Sequence, residues 1–233
     1  MKRNHLCVWT LFGLSLLFPA LKLLCRLLRY TLYVQDGLIW AVVTTLLYVT
    51  AGVLLLAQKD KQLGRLPTAL LAATLLLNQI SMLMFLFSTQ RLGALLLIAV
   101  WFPLTCVLVG VYVRSVWLKA SAFFLSGLLV IPVLLLLMAS QFGAENVPAH
   151  KISPNGTYCA EVLVDDQGAL GGNTMLYAYR EDQSFYIGSF VFRKDEQELY
   201  FGNWGAYHSL RWEDDRTLNF NGTIYHMTDY FAQ

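Results

Sequence analysis

The stretch with the most capacity for chemistry lies in the last third of the chain: Asp165-Asp166-Gln167-Gly168-Ala169-Leu170-Gly171-Gly172-Asn173. Two carboxylates beside three glycines can offer oxygens to a cation, or let a ligand approach bare backbone. Asp165, Asp166, Gly168, Gly171, Gly172 and Asn173 are therefore the candidate ligand-binding residues. The ligand periodicity of an EF-hand loop is missing, as are the lysine and hydroxyl of a phosphate loop. A wide hairpin connection whose glycines supply positive φ accounts for the same residues without a ligand.

A second polar pair, Asn78-Gln79, interrupts an apolar run. It can hydrogen-bond neighbouring helices or line a substrate path. The remaining chemistry is sparse. Of His5, His150, His208 and His226, only the last two stand where they could meet, and no spacing suits a metal. Cys7, Cys25, Cys106 and Cys159 lack zinc-ligand spacing and read as small buried hydrophobes. Cys159 is alone in the C-terminal part, which therefore has no internal disulfide. No Gly-x-Ser-x-Gly elbow occurs, and Ser189 falls in a strand pattern. Arg180-Glu181-Asp182 and Arg193-Lys194-Asp195-Glu196 mix signs as solvated turns do. No catalytic residue, metal or cofactor is expected, and the chain reads as non-enzymatic.

These residues sit in two unlike halves. Residues 1–139 hold 11 Lys and Arg against Asp36 and Asp60, a net of +9. Residues 140–233 hold 6 against 13 Asp and Glu, a net of −7. Hydrophobicity stops at the same boundary, so the halves face different surroundings. About 20 apolar residues cross a hydrocarbon core of about 30 Å. Residues 37–57, 66–87, 92–113 and 120–139 meet that length, and none contains a charge. The N-terminal run 6–21 follows Lys2 and Arg3, as a signal peptide would. Its Leu17-Phe18-Pro19-Ala20 is a poor cleavage site, and Lys22, Arg26 and Arg29 continue it along one helical face. An uncleaved first span is favoured.

The expected fold is thus an all-α membrane bundle over 1–140, of five transmembrane helices with four as the alternative. A small antiparallel β-rich domain, all-β or α+β, occupies 141–233. Five spans with a cytoplasmic N-terminus put seven basic residues inside against four outside, and the C-terminal domain outside the cell membrane. Four spans give six against five.

Within the domain, 158–164, 174–180, 185–192, 198–201, 209–212, 217–220 and 223–226 carry strand residues. Ser153-Pro154-Asn155-Gly156 and Asn221-Gly222 are turns; Asp195-Glu196 and Asp214-Asp215 mark two more.

Three of these motifs together resemble a family: Ser153-Pro154-Asn155-Gly156-Thr157-Tyr158, then Asp166-Gln167-Gly168-Ala169-Leu170-Gly171-Gly172-Asn173-Thr174, then Trp212-Glu213-Asp214-Asp215-Arg216-Thr217 leading to Asn221-Gly222. The segment is similar to an uncharacterised family of β-rich domains carried on membrane-anchored or secreted proteins of Gram-positive bacteria. The resemblance covers about a third of the chain. It implies a fold class and a bacterial source, and no activity. The expected role is a non-enzymatic envelope protein presenting an extracytoplasmic β-domain. The alternative is a transporter or permease-like protein with an accessory domain. Expected partners are the lipid bilayer and another envelope protein or wall component, not nucleic acid.

Overall fold

The computed structural model describes residues 2–35, 37–58, 62–86, 97–139, 144–166 and 171–231. They form two compact units, one from 1–24 with 34–137 and one from 25–33 with 138–233.

The first unit is helical. Leucine-rich, nearly uncharged sequence makes α1 (Lys2–Leu27), α2 (Gly37–Leu56), α3 (Arg65–Leu86) and α5 (Val116–Ala139). A π-helical turn, Leu97–Trp101, runs directly into the shorter α4 (Phe102–Tyr112). Five hydroxyls within these helices bond locally. Thr10, Ser15, Thr44, Thr50 and Thr74 each donate to the carbonyl four residues back, which removes their polarity from an apolar surface.

Four helices are long and apolar enough to cross a membrane: Asn4–Leu27, Leu38–Leu56, Arg65–Met84 and Val116–Leu135. The expected span 92–113 is represented among the described residues by the apolar helix Ile98–Tyr112, which is shorter. Trp101 and Tyr48 stack in the interior at 4.1 Å between ring centroids. Gly52 lets α2 approach α4 closely: a Cβ there would stand 2.8 Å from Leu104 Cδ2, which would have to move.

The second unit is an antiparallel β-structure of two sheets. One has five strands in the order β1-β5-β4-β3-β2, and the other three in the order β6-β7-β8. The strands are β1 (Tyr30–Val34), β2 (Ala144–Ile152), β3 (Tyr158–Asp166), β4 (Gly172–Ile187), β5 (Phe190–Asn203), β6 (Leu210–Trp212), β7 (Thr217–Phe220) and β8 (Thr223–His226), followed by the single-turn helix α6 (Met227–Tyr230). Alternation along β3 and β4 turns Tyr158, Ala160, Val162, Leu176 and Ala178 to one face, where they meet Leu210, Leu218, Phe220, Met227 and Phe231.

Local chemistry sets the turns. Asn221 and Gly222, both at positive φ, close β7–β8. The Asn221 side chain also accepts from the backbone N–H of His208 and Ser209, fixing the entry to β6. In the other turn Asn155 Oδ1 accepts from Ser153 Oγ and the Thr157 N–H, and Gly156 takes φ +73°.

Several expectations change. The segment 185–192 is not one strand: Gly188 at φ +57° and Ser189 form the turn of the β4–β5 hairpin. Asp195-Glu196 is no turn but lies inside β5, where Asp195 at φ +51° marks a register shift. Two strands were not expected at all. β2 carries Pro148 on a sheet edge, the position that tolerates a missing N–H. β1 comes from between the first two apolar helices and pairs with β5 at the opposite edge.

Candidate functional site

Asn78 is fully buried and joins four helices. Its Nδ2 donates to Tyr48 OH at 2.9 Å and Thr105 Oγ1 at 2.8 Å, and its Oδ1 accepts from Ser15 Oγ. Tyr48 OH and Thr105 Oγ1 are 2.7 Å apart, and Thr105 donates back to Trp101 O at 2.6 Å. Gln79 does not share this network. It is equally buried, yet its Nε2 has no hydrogen-bond partner among the described residues. Every partner of Asn78 is a fixed side chain, so this residue works as a bundle clamp.

The acidic glycine stretch forms the β3–β4 connection. Asp165 pairs with Asn173 and Asp166 with Gly172, which extends the ladder to the loop. Gly171 takes φ +92°, and a Cβ on Gly172 would lie 2.1 Å from Asp165 O. These glycines answer a close backbone approach and a left-handed residue. Gly168 lies outside the described residues. Among those described, no group of three His, Cys, Asp or Glu could hold a metal ion.

The polar face of the five-stranded sheet holds a centre that its residue types did not announce. Arg193 on β5 lies 2.5 Å from Glu161 Oε2 on β3 and 3.1 Å from Glu196 Oε1. Its guanidinium sits between the rings of Tyr33 and Tyr179, 4.5 and 4.6 Å from their centroids. Tyr33 OH donates to Glu196 Oε2 at 2.8 Å. Burial alone would lower the Arg193 guanidinium; Glu161 and its anionic neighbours outweigh that and hold it above its ordinary value. Burial and the Glu196 carboxylate push the Tyr33 phenol upward. The centre thus pins β1 to β5 across a half-dry surface. Solvated turns were expected at 193–196, but register puts Arg193 and Glu196 against the sheet.

Beside it, Cys159 Sγ lies 3.1 Å from His150 Nε2, which is 3.3 Å from Tyr179 OH. His150, rather than a His208–His226 meeting, is the histidine with a partner of chemical interest. Burial pushes the Cys159 thiol up to about 11, so it stays protonated and is no ready nucleophile. Because the folded value lies above the ordinary 9.0, this group stabilises fully below about pH 9 and loses its contribution towards about pH 11. The denaturant midpoint should fall between those pH values, and Cys159→Val should flatten that fall. An equal fall in the variant would assign it to other groups.

A cleft of about 390 Å³ opens on another part of the same unit, lined by Asn155, Thr157, Tyr158, Arg180, Arg216, Thr228 and Phe231. Tyr158 and Phe231 give it an apolar floor, their rings 5.2 Å apart. The Ser153–Gly156 turn positions Asn155 and Thr157. Arg180 is splayed by Asp182, which accepts from Nε at 3.2 Å and from Nη2 at 2.9 Å. That hydrogen bonding, more than charge, raises the Arg180 pKa further. Arg216 makes no ion pair among the described residues. Its backbone N–H is held by Asp214 Oδ1 at 2.7 Å. Two guanidinium groups and two hydroxyls around an aromatic floor suit an anion with an apolar portion. Sequence reasoning missed this cleft because Arg180 lies on β4 and Arg216 in the connection between β6 and β7 of the other sheet. The one usable signal was the Ser153–Tyr158 motif beside it. Neither a known protein-family model, nor a curated protein, nor a solved structure matches this chain.

Proposed function

We propose that the chain is a multi-pass membrane protein of the cell envelope, without enzymatic activity, whose β-domain stands outside the cell and binds an anionic envelope component. The observation that carries this reading is the pairing of β1 with β5. One folded sheet keeps residues 30–34 on the same side of a bilayer as the C-terminal strands. The chain between them must then cross an even number of times. α2, α3 and α5 are each long and apolar enough for one crossing, three in all. The fourth falls to the segment ending in α4, whose Trp101 and Thr105 bond to α2 and α3. The described stretch 97–112 reaches roughly 24 Å at about 1.5 Å per residue, which local bilayer thinning accommodates.

With α1 the count is five, and the N-terminus lies opposite the β-domain. The positive-inside balance of seven against four then favours a cytoplasmic N-terminus. A reporter fused at the C-terminus should be active only outside, and activity inside would sink the orientation.

The cleft supplies the binding chemistry. The domain around it is acidic, so a phosphate- or carboxylate-bearing group would be held at short range by Arg180 and Arg216 rather than steered from afar. Inorganic phosphate should raise the thermal midpoint of the detergent-solubilised chain. Arg216→Glu should need about tenfold more phosphate for the same rise, a difference of about 1.4 kcal/mol in binding. The same phosphate response in both proteins would remove the cleft from the proposal.

A further inference from the structure

The β4–β5 hairpin ends in three consecutive exposed side chains of apolar body, Phe185 at 40%, Tyr186 at 56% and Ile187 at 61% exposure. Strand tips of soluble domains are usually polar, and a patch of this kind marks a contact surface. Its place in the chain identifies the contact. α1 ends at Leu27, and the residues that follow at once are bonded to this hairpin. The Tyr30 ring meets Phe185 edge-on at 5.5 Å, and Tyr30 OH donates to Gln183 O at 3.4 Å. Lys194 Nζ donates to Leu28 O at 2.9 Å and lies 4.7 Å from the centroid of the Tyr30 ring. The Asp195 N–H donates to Arg29 O at 3.0 Å. A span that ends at residue 27 leaves residues 28–30 at headgroup depth, and whatever is bonded to them shares that depth.

Charge agrees with this placement. A second cleft, of about 340 Å³, is lined by Arg26, Arg29, Tyr30, Thr31, Asp195, Glu196 and Gln197. Glu196 is already engaged by Arg193 and Tyr33. Arg26 and Arg29 make no ion pair among the described residues and are exposed. Asp195 shares the rim, which works against a free polyvalent anion but not against phosphates arrayed in a membrane plane beside the two arginines. Aromatic rings at headgroup level and arginines reaching lipid phosphate are the two interfacial anchors of membrane proteins.

We propose that the Phe185–Ile187 tip inserts into the lipid interface beside the end of α1, with Arg26 and Arg29 on lipid phosphates, so that the β-domain rests on the bilayer. This rests on the membrane-spanning reading of α1 given above. The occupant is the lipid surface; a protein partner covering the tip is the outcome that would overturn it.

The full chain, reconstituted into phosphatidylglycerol vesicles, is labelled with a polarity-sensitive fluorophore at Ile187→Cys and, as control, at Asp215→Cys. The unsubstituted chain, labelled in parallel, gives the background of native cysteines. The label at 187 should emit to the blue and be quenched by a shallow spin-labelled lipid several-fold more than the label at 215. Arg26→Gln with Arg29→Gln should abolish any gain in quenching between phosphatidylcholine and phosphatidylglycerol vesicles. Equal quenching at 187 and 215 overturns the proposal, as does a label at 187 that is shielded but unquenched by lipid. Alkaline-carbonate extraction of the same vesicles reads the spanning separately. Retained protein with an unquenched tip defeats the seating alone, whereas protein that washes out defeats both.

Discussion

Arg193→Leu should destabilise the β-domain by on the order of 3–5 kcal/mol, because it leaves two half-buried carboxylates without their cation. Glu161 and Glu196 both lose the guanidinium they face, and side-chain exposures of 13% and 7% leave them little water in exchange. Tyr33 loses the cation against its ring and keeps only its bond to Glu196. The edge strand β1 should therefore release first. Limited proteolysis should cut near residues 30–36 in the variant under conditions that spare the native chain, and the urea midpoint should drop. Arg193→Lys should fall between the two, since an ammonium keeps the charge but cannot bridge two carboxylates while lying flat between rings. Replacing Arg193, Glu161 and Glu196 together with apolar residues of similar volume should recover much of the loss, because no charge is then stranded. A triple variant as unstable as Arg193→Leu would show that packing of the Arg193 side chain, not charge, holds this edge.

In the helical unit the largest effect belongs to Asn78. Asn78→Leu removes bonds to Ser15, Tyr48 and Thr105, which belong to three other helices. At about 0.6–1.7 kcal/mol per interhelical bond, the loss comes to about 2–5 kcal/mol. The thermal midpoint of the solubilised protein should drop by several degrees. Gln79→Leu, one residue away and just as buried, should be neutral or stabilising, because its Nε2 has no partner to lose. The contrast also bears on transport. A substrate path would use both amides, whereas a clamp uses only Asn78. Equal losses of stability from the two substitutions would contradict the clamp.

What was legible in the amino-acid order follows the range of the forces involved. β3, β6, β7 and β8 could be read because alternation and turn residues are local, as Asn221-Gly222 and Ser153–Gly156 illustrate. The apolar helices could be read from composition alone, although α4 falls short of the span expected of it. β1 could not be read. Tyr-Thr-Leu-Tyr-Val looks like the flank of a span until β5, far away in the chain, gives it a partner. β4 and β5 were read as shorter pieces because polar residues such as Arg180 and Asp195 interrupt their pattern without ending the strands.

The candidate residues divide the same way. Asn78 was conspicuous because an amide is rare among leucines. Arg193 was hidden because a mixed-sign run usually means solvent, and only the folded sheet brings it within reach of Glu161, two strands away on β3. The arginine cleft required two sheets to be placed together, which no local pattern encodes.

The position of β1 also governs when the protein can be finished. Its five residues are made before α2, α3 and α5, and the edge they close belongs to β5, made after them. Until the helices between have been made, β1 has no strand to join. A chain stalled or truncated after α5 therefore displays a Tyr-rich strand with unpaired N–H and C=O groups. Closing that edge joins β1 to β5 over a long sequence separation, which is a slow kind of contact to form.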